Sequence, residues 1–519
     1  MAKIISAKEA AALIKDGDTV GINGFAFGFG FAEEVAEAIE ERYIQEAHPA
    51  NLDLIFASGC GDGGRSGRGM EHFAREGMVE RITAGHVGLA KNFSRMIFEN
   101  KVKAYNLPQG VVTHMFRAAA GGRPGVITHV GLKTFADPRL EGGKMNDITT
   151  EELVQVVEIN GKEQLFYPSR PLQVGLIRGT YADEAGNISV KKEGVLLETQ
   201  YIAQAARNSG GIVIAQVEYI TTKGSIPPTE VVIPGIMVDY IVIAKKENHK
   251  MNFGTDYNPS FTGEVRKLLS HMERMPMGVR KVIAKRCAYE LEKNTTINLG
   301  IGMPEGVAAI ASEEGIGGEL TMTIEAGAIG GIPGSGFDLG AAANVEAIIG
   351  QPGIFDYYDG GGLDQTFLGL AQADRKGNIN VSKFNGRMVG CGGFVNISQN
   401  TKKVIYCGTF TAGKSNVEVK DGKLNIIEDG TFIKFVEQVE QVSFSGEYAN
   451  ETGQEILYVT ERAVFRLAPE GMELIEIAPG VDLEKDILAK MEFRPLIASD
   501  LKIMDERFFT EEALGLKNR

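Results

Sequence analysis

Short apolar runs that end in clusters of glycine recur along this chain, and that pattern constrains its fold more than any other feature. Asp18–Asn23 (DTVGIN) leads into a loop from Gly24 to Gly30, and Val35, Ile39 and Ile44 follow on a helical spacing. Asn51–Ala57 (NLDLIFA) opens into a second glycine loop, Ser58–Arg65. β-Branched and apolar runs of this length are strand-forming. Glycine at their ends lets backbone or ligand approach closely. Strand, glycine loop and helix repeated in that order predict an α/β fold with largely parallel sheets. Glycine supplies 65 of the 519 residues, well above average usage. Leu172–Arg178, Gly211–Val217 and Val238–Ala244 read as further strands, and Ala104–Gly110 as a strand edge whose turn carries Gln109 at its tip.

The pattern occurs twice. Asn294–Ala311 (NTTINLGIGMPEGVAAIA) repeats the order of Gly17–Ala36: polar turn, short strand, glycine loop, helix. Leu176–Ser189 and Phe367–Val381 share an Ala-Asp-x-x-Gly-Asn-Ile core. Two matches in the same order imply duplication and two related domains. The polar stretch from Lys245 to Gly278 lacks periodicity and carries Pro259 and Pro276, so the predicted division is residues 1–245, a linker over 246–278, and 279–519.

Composition removes several function classes. The formal net charge of −14 argues against nucleic acid or an anionic membrane surface as the main partner. No run of about 18 apolar residues occurs, so no transmembrane helix is expected. Lys and Glu interrupt the N-terminal stretch, where Ser6 and Glu9 read as a capping box. The four cysteines form no C-x-x-C pair, and the seven histidines show no H-x-x-H spacing. Neither a disulfide framework nor a metal site is expected, and the expected compartment is the cytoplasm.

Leu320–Pro333 (LTMTIEAGAIGGIP) is the stretch with chemistry in it. Its strand-like start delivers one carboxylate, Glu325, beside Gly330-Gly331, where open α/β sheets place ligands. A solvated strand end is the alternative. Gly408–Ser415 (GTFTAGKS) satisfies the P-loop pattern G-x-x-x-x-G-K-[ST]. That motif needs a helix after the loop, whereas Val417–Leu424 alternates around Asp421-Gly422 as a hairpin does. The G-x-G-x-x-G fingerprint fails at Gly28–Glu33 and Gly300–Glu305, where Glu replaces the third glycine, and no helix opens on the match at Gly59–Gly64. No G-x-S-x-G elbow exists. A carboxylate can itself attack an activated acyl group. With an unperturbed pKa of about 4.3, Glu325 is expected to be ionised at neutral pH without a partner base. The tetrahedral steps then need backbone N–H donors, and Gly392-Gly393 suits that role or forms a plain turn.

Several segments together resemble the class I CoA-transferases, with the single-chain propionate and acetate CoA-transferases nearest in pattern. They are Glu325–Gly331 (EAGAIGG), Gly360–Asp364 (GGGLD), Gly377–Phe384 (GNINVSKF) and Gly390–Phe394 (GCGGF). Pro108–Gly110, Asp137–Arg139, Gly179–Asp183, Thr460–Phe465 and Ala478–Asp482 add to the likeness, which runs from end to end. The resemblance implies two related CoA-transferase-type domains with the active site between them. It implies Glu325 as nucleophile, an oxyanion glycine within Gly392-Gly393, with Gly392 favoured, and Gln109 beside the glutamyl group. It implies Gly300, Gly302, Met303, Gly360, Gly361 and Gly362 along the CoA thioester, and Phe25, Ala26 and Phe27 along the carboxylic acid. The loop Gly24–Gly30 is more aromatic than the family pattern. The implied activity is acyl-CoA:carboxylate CoA transfer through a glutamyl-CoA thioester, with acyl-CoA hydrolysis by the same glutamate as the alternative. No cofactor is implied, since CoA and acyl-CoA are substrates, and the implied assembly is a homo-oligomer, often a tetramer.

Overall fold

The computed structural model describes residues 2–268, 274–384 and 386–519. Residues 269–273 of the predicted linker lie outside it. The chain forms two compact units, each assembled from non-contiguous segments. The first comprises Met1–Lys267, Ile324–Asp356 and Lys383–Asn396. The second comprises Leu268–Thr323, Tyr357–Ser382 and Ile397–Arg519. Chain order thus places Glu325 in the C-terminal half, while compactness groups it with the N-terminal half.

The first unit is built on a parallel sheet of β1 (Lys3–Ile4), β2 (Thr19–Ile22), β3 (Leu52–Phe56), β4 (Val79–Ala84), β5 (Lys103–Asn106), β6 (Val174–Arg178), β7 (Ile212–Val217) and β8 (Tyr240–Ile243). Their order across the sheet is β1-β8-β7-β6-β2-β3-β4-β5. Helices α1 (Ala7–Leu13), α2 (Glu33–Glu46), α3 (Lys91–Phe98), α4 (Gln109–Ala120) and α5 (Thr199–Asn208) accompany it. The Ser6–Glu9 capping box is formed as expected, with both reciprocal hydrogen bonds present. Gly21, in the central strand β2, pairs with Ile55 and Gly175. A methyl group there would meet Leu172 at 2.6 Å, Phe116 of α4 at 3.2 Å and Ile202 of α5 at 3.3 Å, so helices α4 and α5 need a glycine at this crossing. The three-stranded antiparallel layer 125–128, 155–159 and 162–168 was not legible in the sequence.

In the second unit, β9 (Thr295–Leu299), β10 (Leu320–Thr323), β11 (Gln365–Gly369), β12 (Lys403–Cys407) and β13 (Glu455–Val459) pair in parallel in the order β10-β9-β11-β12-β13. This is the order β3-β2-β6-β7-β8 of the first unit. Strands β14 (Ala463–Ala468), β15 (Gly471–Ile477) and β16 (Leu496–Ile503) extend it, with antiparallel pairing at β13-β14 and β14-β15. Helices α6 (Val279–Ala288) and α7 (Glu305–Glu313) pack on a core that includes Ile283, Ile297, Val307 and Phe367. Residues 483–487 and 488–490 form two irregular helical turns.

The repeated Asp-x-x-Gly-Asn core makes the same structure in both units. Asp183 Oδ1 accepts from the Ala185 and Asn187 N–H groups, at 2.9 and 3.0 Å, and Asp374 Oδ1 accepts from those of Lys376 and Asn378, both at 3.0 Å. Each following asparagine donates its amide back to Oδ2 at 3.0 Å. Each asparagine also accepts, at 2.9 Å, from a distant backbone N–H, that of Gly235 or Gly446. A side chain satisfying three local donors fixes the turn without help from the sheet. The P-loop reading fails structurally: Asn416–Lys420 and Lys423–Glu428 pair as a hairpin around Asp421 and Gly422, both at positive φ, where a phosphate-binding helix would have to start.

Candidate active site

Glu325 lies in the turn that follows β10. The Ile324 N–H donates to the Ala328 carbonyl at 2.9 Å, and that of Gly327 to the Ile324 carbonyl at 2.8 Å. Gly327 has φ +110°, and a side chain there would overlap the Ile349 carbonyl oxygen, so the turn requires glycine. Ala326 is buried in an apolar cluster with Phe25, Ala26, Phe29, Val195 and Leu197, and Ile324 packs against the same cluster. Both neighbours of Glu325 are therefore anchored, which holds the carboxylate in place without an ion pair among the described residues.

The strap Gly390–Gly393 comes up against it. The Gly392 N–H donates to the Gly85 carbonyl at 2.8 Å, and its carbonyl accepts from the Gln109 N–H at 2.9 Å. Asn106 Oδ1 accepts from the Cys391 N–H at 3.0 Å, while its amide reaches the Gly85 carbonyl at 2.6 Å. The Gly110 N–H donates to Asn396 Oδ1 at 3.0 Å. The Gly393 N–H has no hydrogen-bond partner among the described residues. A methyl group on Gly393 would overlap Glu325 Oε2 and come within 2.9 Å of its Cδ and 3.2 Å of Phe355. Gln109 is buried as the first residue of α4 and not at the tip of a turn, because Pro108 opens that helix. Its Nε2 lacks a partner of full hydrogen-bond geometry among the described residues, yet its amide is the one polar group that counters the burial of Glu325.

Electrostatics overturn the expectation of a fully ionised glutamate. Glu325 keeps an accessible face but is enclosed on its sides, and burial pushes its pKa to about 7 against the weaker downward pull of Gln109. Burial, with the Glu325 charge adding to it, also pushes the Cys391 thiol up, so it stays protonated beside the carboxylate. Burial lowers His86, on the loop opposite the strap, to about 4, which keeps it neutral. The role of nucleophile expected of Glu325 requires the ionised form and so gives a defined pH profile. With its pKa raised to about 7, kcat/KM is expected to rise about tenfold per pH unit below 7 and to level off above it. A stopped assay between pH 5 and 9 checks this; an acid limb near 4.5 would contradict it.

The structure thus brings Glu325, Gln109, Gly392 and Gly393 together, with Phe25 and Ala26 in the adjoining apolar cluster and Phe27 against it. Phe27 also meets Phe337 edge-on, with ring centroids 5.2 Å apart. The remaining predicted residues lie in the second unit. The Gly300 N–H donates to the Phe367 carbonyl at 2.7 Å at the end of β9, and Gly302, at φ +83°, gives its N–H to Glu305 at 2.9 Å. Met303 packs against the core of that unit. Gly360–Gly362 follow the helix Gln351–Asp359, where the Gly361 and Gly362 N–H groups donate to Tyr358 and Tyr357 carbonyls at 3.0 and 2.9 Å. Four residues that shape the site went unrecognised in the sequence: Gly85, Asn106, Phe355 and Asn396. Only Gly85 left a signal, as a glycine closing the apolar run of β4.

A family model described as Coenzyme A transferase matches residues 4–244. The chain is 51% identical over 522 residues to the caffeate CoA-transferase of Acetobacterium woodii, covering 99% of each protein. It is 42% identical over 512 residues to the acetate CoA-transferase YdiF of Escherichia coli (strain K12), covering 99% of this chain and 96% of that one. The acyl-CoA transferase YdiF of E. coli O157:H7, solved as a thioester complex with CoA, superposes with a TM-score of 0.93 at 40% identity, over 99% of this chain and 97% of that one. No helix among the described residues is long and apolar enough to cross a membrane.

Proposed function

The chain belongs to the class I coenzyme A transferases, among their single-chain members, and on that footing we propose that it moves CoA between a short-chain acyl-CoA and a short-chain carboxylic acid, acetate or propionate, by a ping-pong route through Glu325. The observation that carries this reading is a carboxylate of raised pKa held against the backbone of Gly393 and beside the amide of Gln109. Glu325, ionised, attacks the thioester carbonyl of the donor. The C–S bond breaks, giving an acyl-glutamyl anhydride and CoA thiolate. The thiolate attacks the glutamyl carbonyl and expels the first carboxylate, which leaves a glutamyl-CoA thioester. The acceptor acid then runs the sequence in reverse. Thioester energy is conserved at each step, so the chemistry asks for neither ATP nor a metal.

Within this scheme Gly393 is the better oxyanion donor of the glycine pair. The Gly392 N–H is already given to Gly85, while that of Gly393 has no partner among the described residues and lies next to the carboxylate of Glu325. Gln109 orients the glutamyl group. The residues Phe25, Ala26 and Phe27 line the acid's side, and Gly300, Gly302, Met303 and Gly360–Gly362 the CoA side. The enzyme works in the cytoplasm as a homo-oligomer, in the tetrameric form common in this family.

The test is chemical trapping. Incubation with propionyl-CoA and no acceptor, followed by borohydride, is expected to reduce Glu325 alone, as read by peptide mass mapping. An unmodified Glu325, or a modified residue elsewhere, overturns the reading. Release of free CoA without added acid would mark hydrolysis as the activity instead.

A further inference from the structure

Behind the aromatic loop lies a group of buried polar atoms that the fold leaves unused. Asn23 Oδ1, both carboxyl oxygens of Glu198, and Oε1 and Nε2 of Gln351 have no hydrogen-bond partner among the described residues, apart from Glu198's own backbone N–H. Asn23 is 2% exposed, and Glu198 and Gln351 are 0% exposed. Buried polar groups in folded proteins are nearly always paired, so several in one place call for an occupant.

The three residues meet at one short segment. The Asn23 amide donates to Thr199 Oγ1 at 2.8 Å and to the Gly30 carbonyl at 3.1 Å, tying together the two ends of the loop that carries Phe25 and Phe27. The Gln351 N–H donates to the Leu197 carbonyl at 2.9 Å. Glu198 lies between Leu197 and Thr199. Leu197 itself belongs to the cluster of Phe25, Ala26, Phe29 and Ala326 that flanks Glu325. The unpaired atoms thus sit at the base of the loop assigned to the acid substrate, on the same apolar cluster as the nucleophile's neighbours.

We propose that Asn23, Glu198 and Gln351 form a specificity-determining polar end to the acid pocket, which takes a hydroxyl group on the tail of the acceptor carboxylate. A hydroxyl donates one hydrogen bond and accepts others, and the trio supplies both kinds of partner: amide and carboxyl oxygens as acceptors, the Gln351 amide and a protonated Glu198 as donors. Burial raises the Glu198 carboxyl to about 8, which keeps that proton in place at neutral pH. A fully charged tail fits poorly, because Glu198 would have to ionise or face it across a dry site. The inference deepens the transferase reading and rests on it.

The experiment measures kcat/KM for CoA transfer from acetyl-CoA to 3-hydroxypropionate and to propionate. The hydroxy-acid to plain-acid ratio is expected to fall at least about tenfold in Glu198→Leu, because a site built for a hydroxyl discriminates by leaving polar groups unpaired. Glu198→Gln, whose amide both donates and accepts, is expected to keep the ratio within about threefold of wild type. Gln351→Leu reads the same ratio from the other side of Leu197 and decides the matter if Glu198→Leu does not fold. A ratio unchanged in a folded leucine variant assigns these atoms to ordered water and overturns the proposal. Absence of transfer to either acid in the wild type would instead overturn the transferase reading.

Discussion

Glu325→Ala is expected to lower transferase turnover by roughly 10⁴-fold or more, about 5.5 kcal/mol of barrier, while leaving the fold intact. The size follows from the proposed role. A nucleophile that forms both the anhydride and the thioester is needed in every step, so its removal closes the route and does not merely slow one stage. The fold should tolerate the change, because Glu325 makes no ion pair among the described residues and its turn is held by backbone bonds, by the packing of Ile324 and by the burial of Ala326. The measurement is steady-state CoA transfer, paired with borohydride trapping and a thermal melt. Transfer within tenfold of wild type in the alanine variant would remove Glu325 from the mechanism.

Gly393→Ala is expected to cost about 10²- to 10³-fold in kcat, the second-largest effect. The added methyl overlaps Glu325 Oε2 and crowds Phe355, which is fully buried and cannot retreat. The carboxylate must then move off the backbone donor that would bind the oxyanion. Gly392→Ala is the informative contrast. Its φ of +55° strains an alanine by about 1–2 kcal/mol, yet the nearest atom to the new methyl is Gln109 Oε1 at 3.6 Å. It should therefore lower stability more than it lowers turnover. Measuring kcat and melting temperature for both variants separates the two glycines; equal losses of kcat would contradict the assignment of the donor to Gly393.

The Asp-Gly turn at 421–422 and the capping box at Ser6–Glu9 were legible because they depend on a few adjacent residues, whose side chains meet their own backbone. The Asp183 and Asp374 turns were legible for the same reason, and their repetition exposed the duplication before any sheet order was known. Helices α3, α4 and α5 were harder. Lys91–Phe98 and Thr199–Asn208 carry polar residues through their length, and the helix beginning at Gln109 follows a strand with only Leu107 and Pro108 between. Asn106 and Asn396 could not have been singled out, because each is one asparagine among many until its amide is seen holding Cys391 or Gly110.

By itself the sequence determined the α/β class, the internal duplication, the turns and the carboxylate available for acyl chemistry. These follow from periodicity and local hydrogen bonding, which a linear chain displays directly. Only the tertiary structure decided that Glu325 groups with the N-terminal unit, that its pKa lies near 7, that Gly393 and not Gly392 touches it, and that Asn23 Oδ1 and the side-chain polar atoms of Glu198 and Gln351 lack side-chain partners among the described residues. Desolvation and van der Waals clearance are set by side chains hundreds of positions apart in the chain, and no pattern of neighbouring residues encodes them.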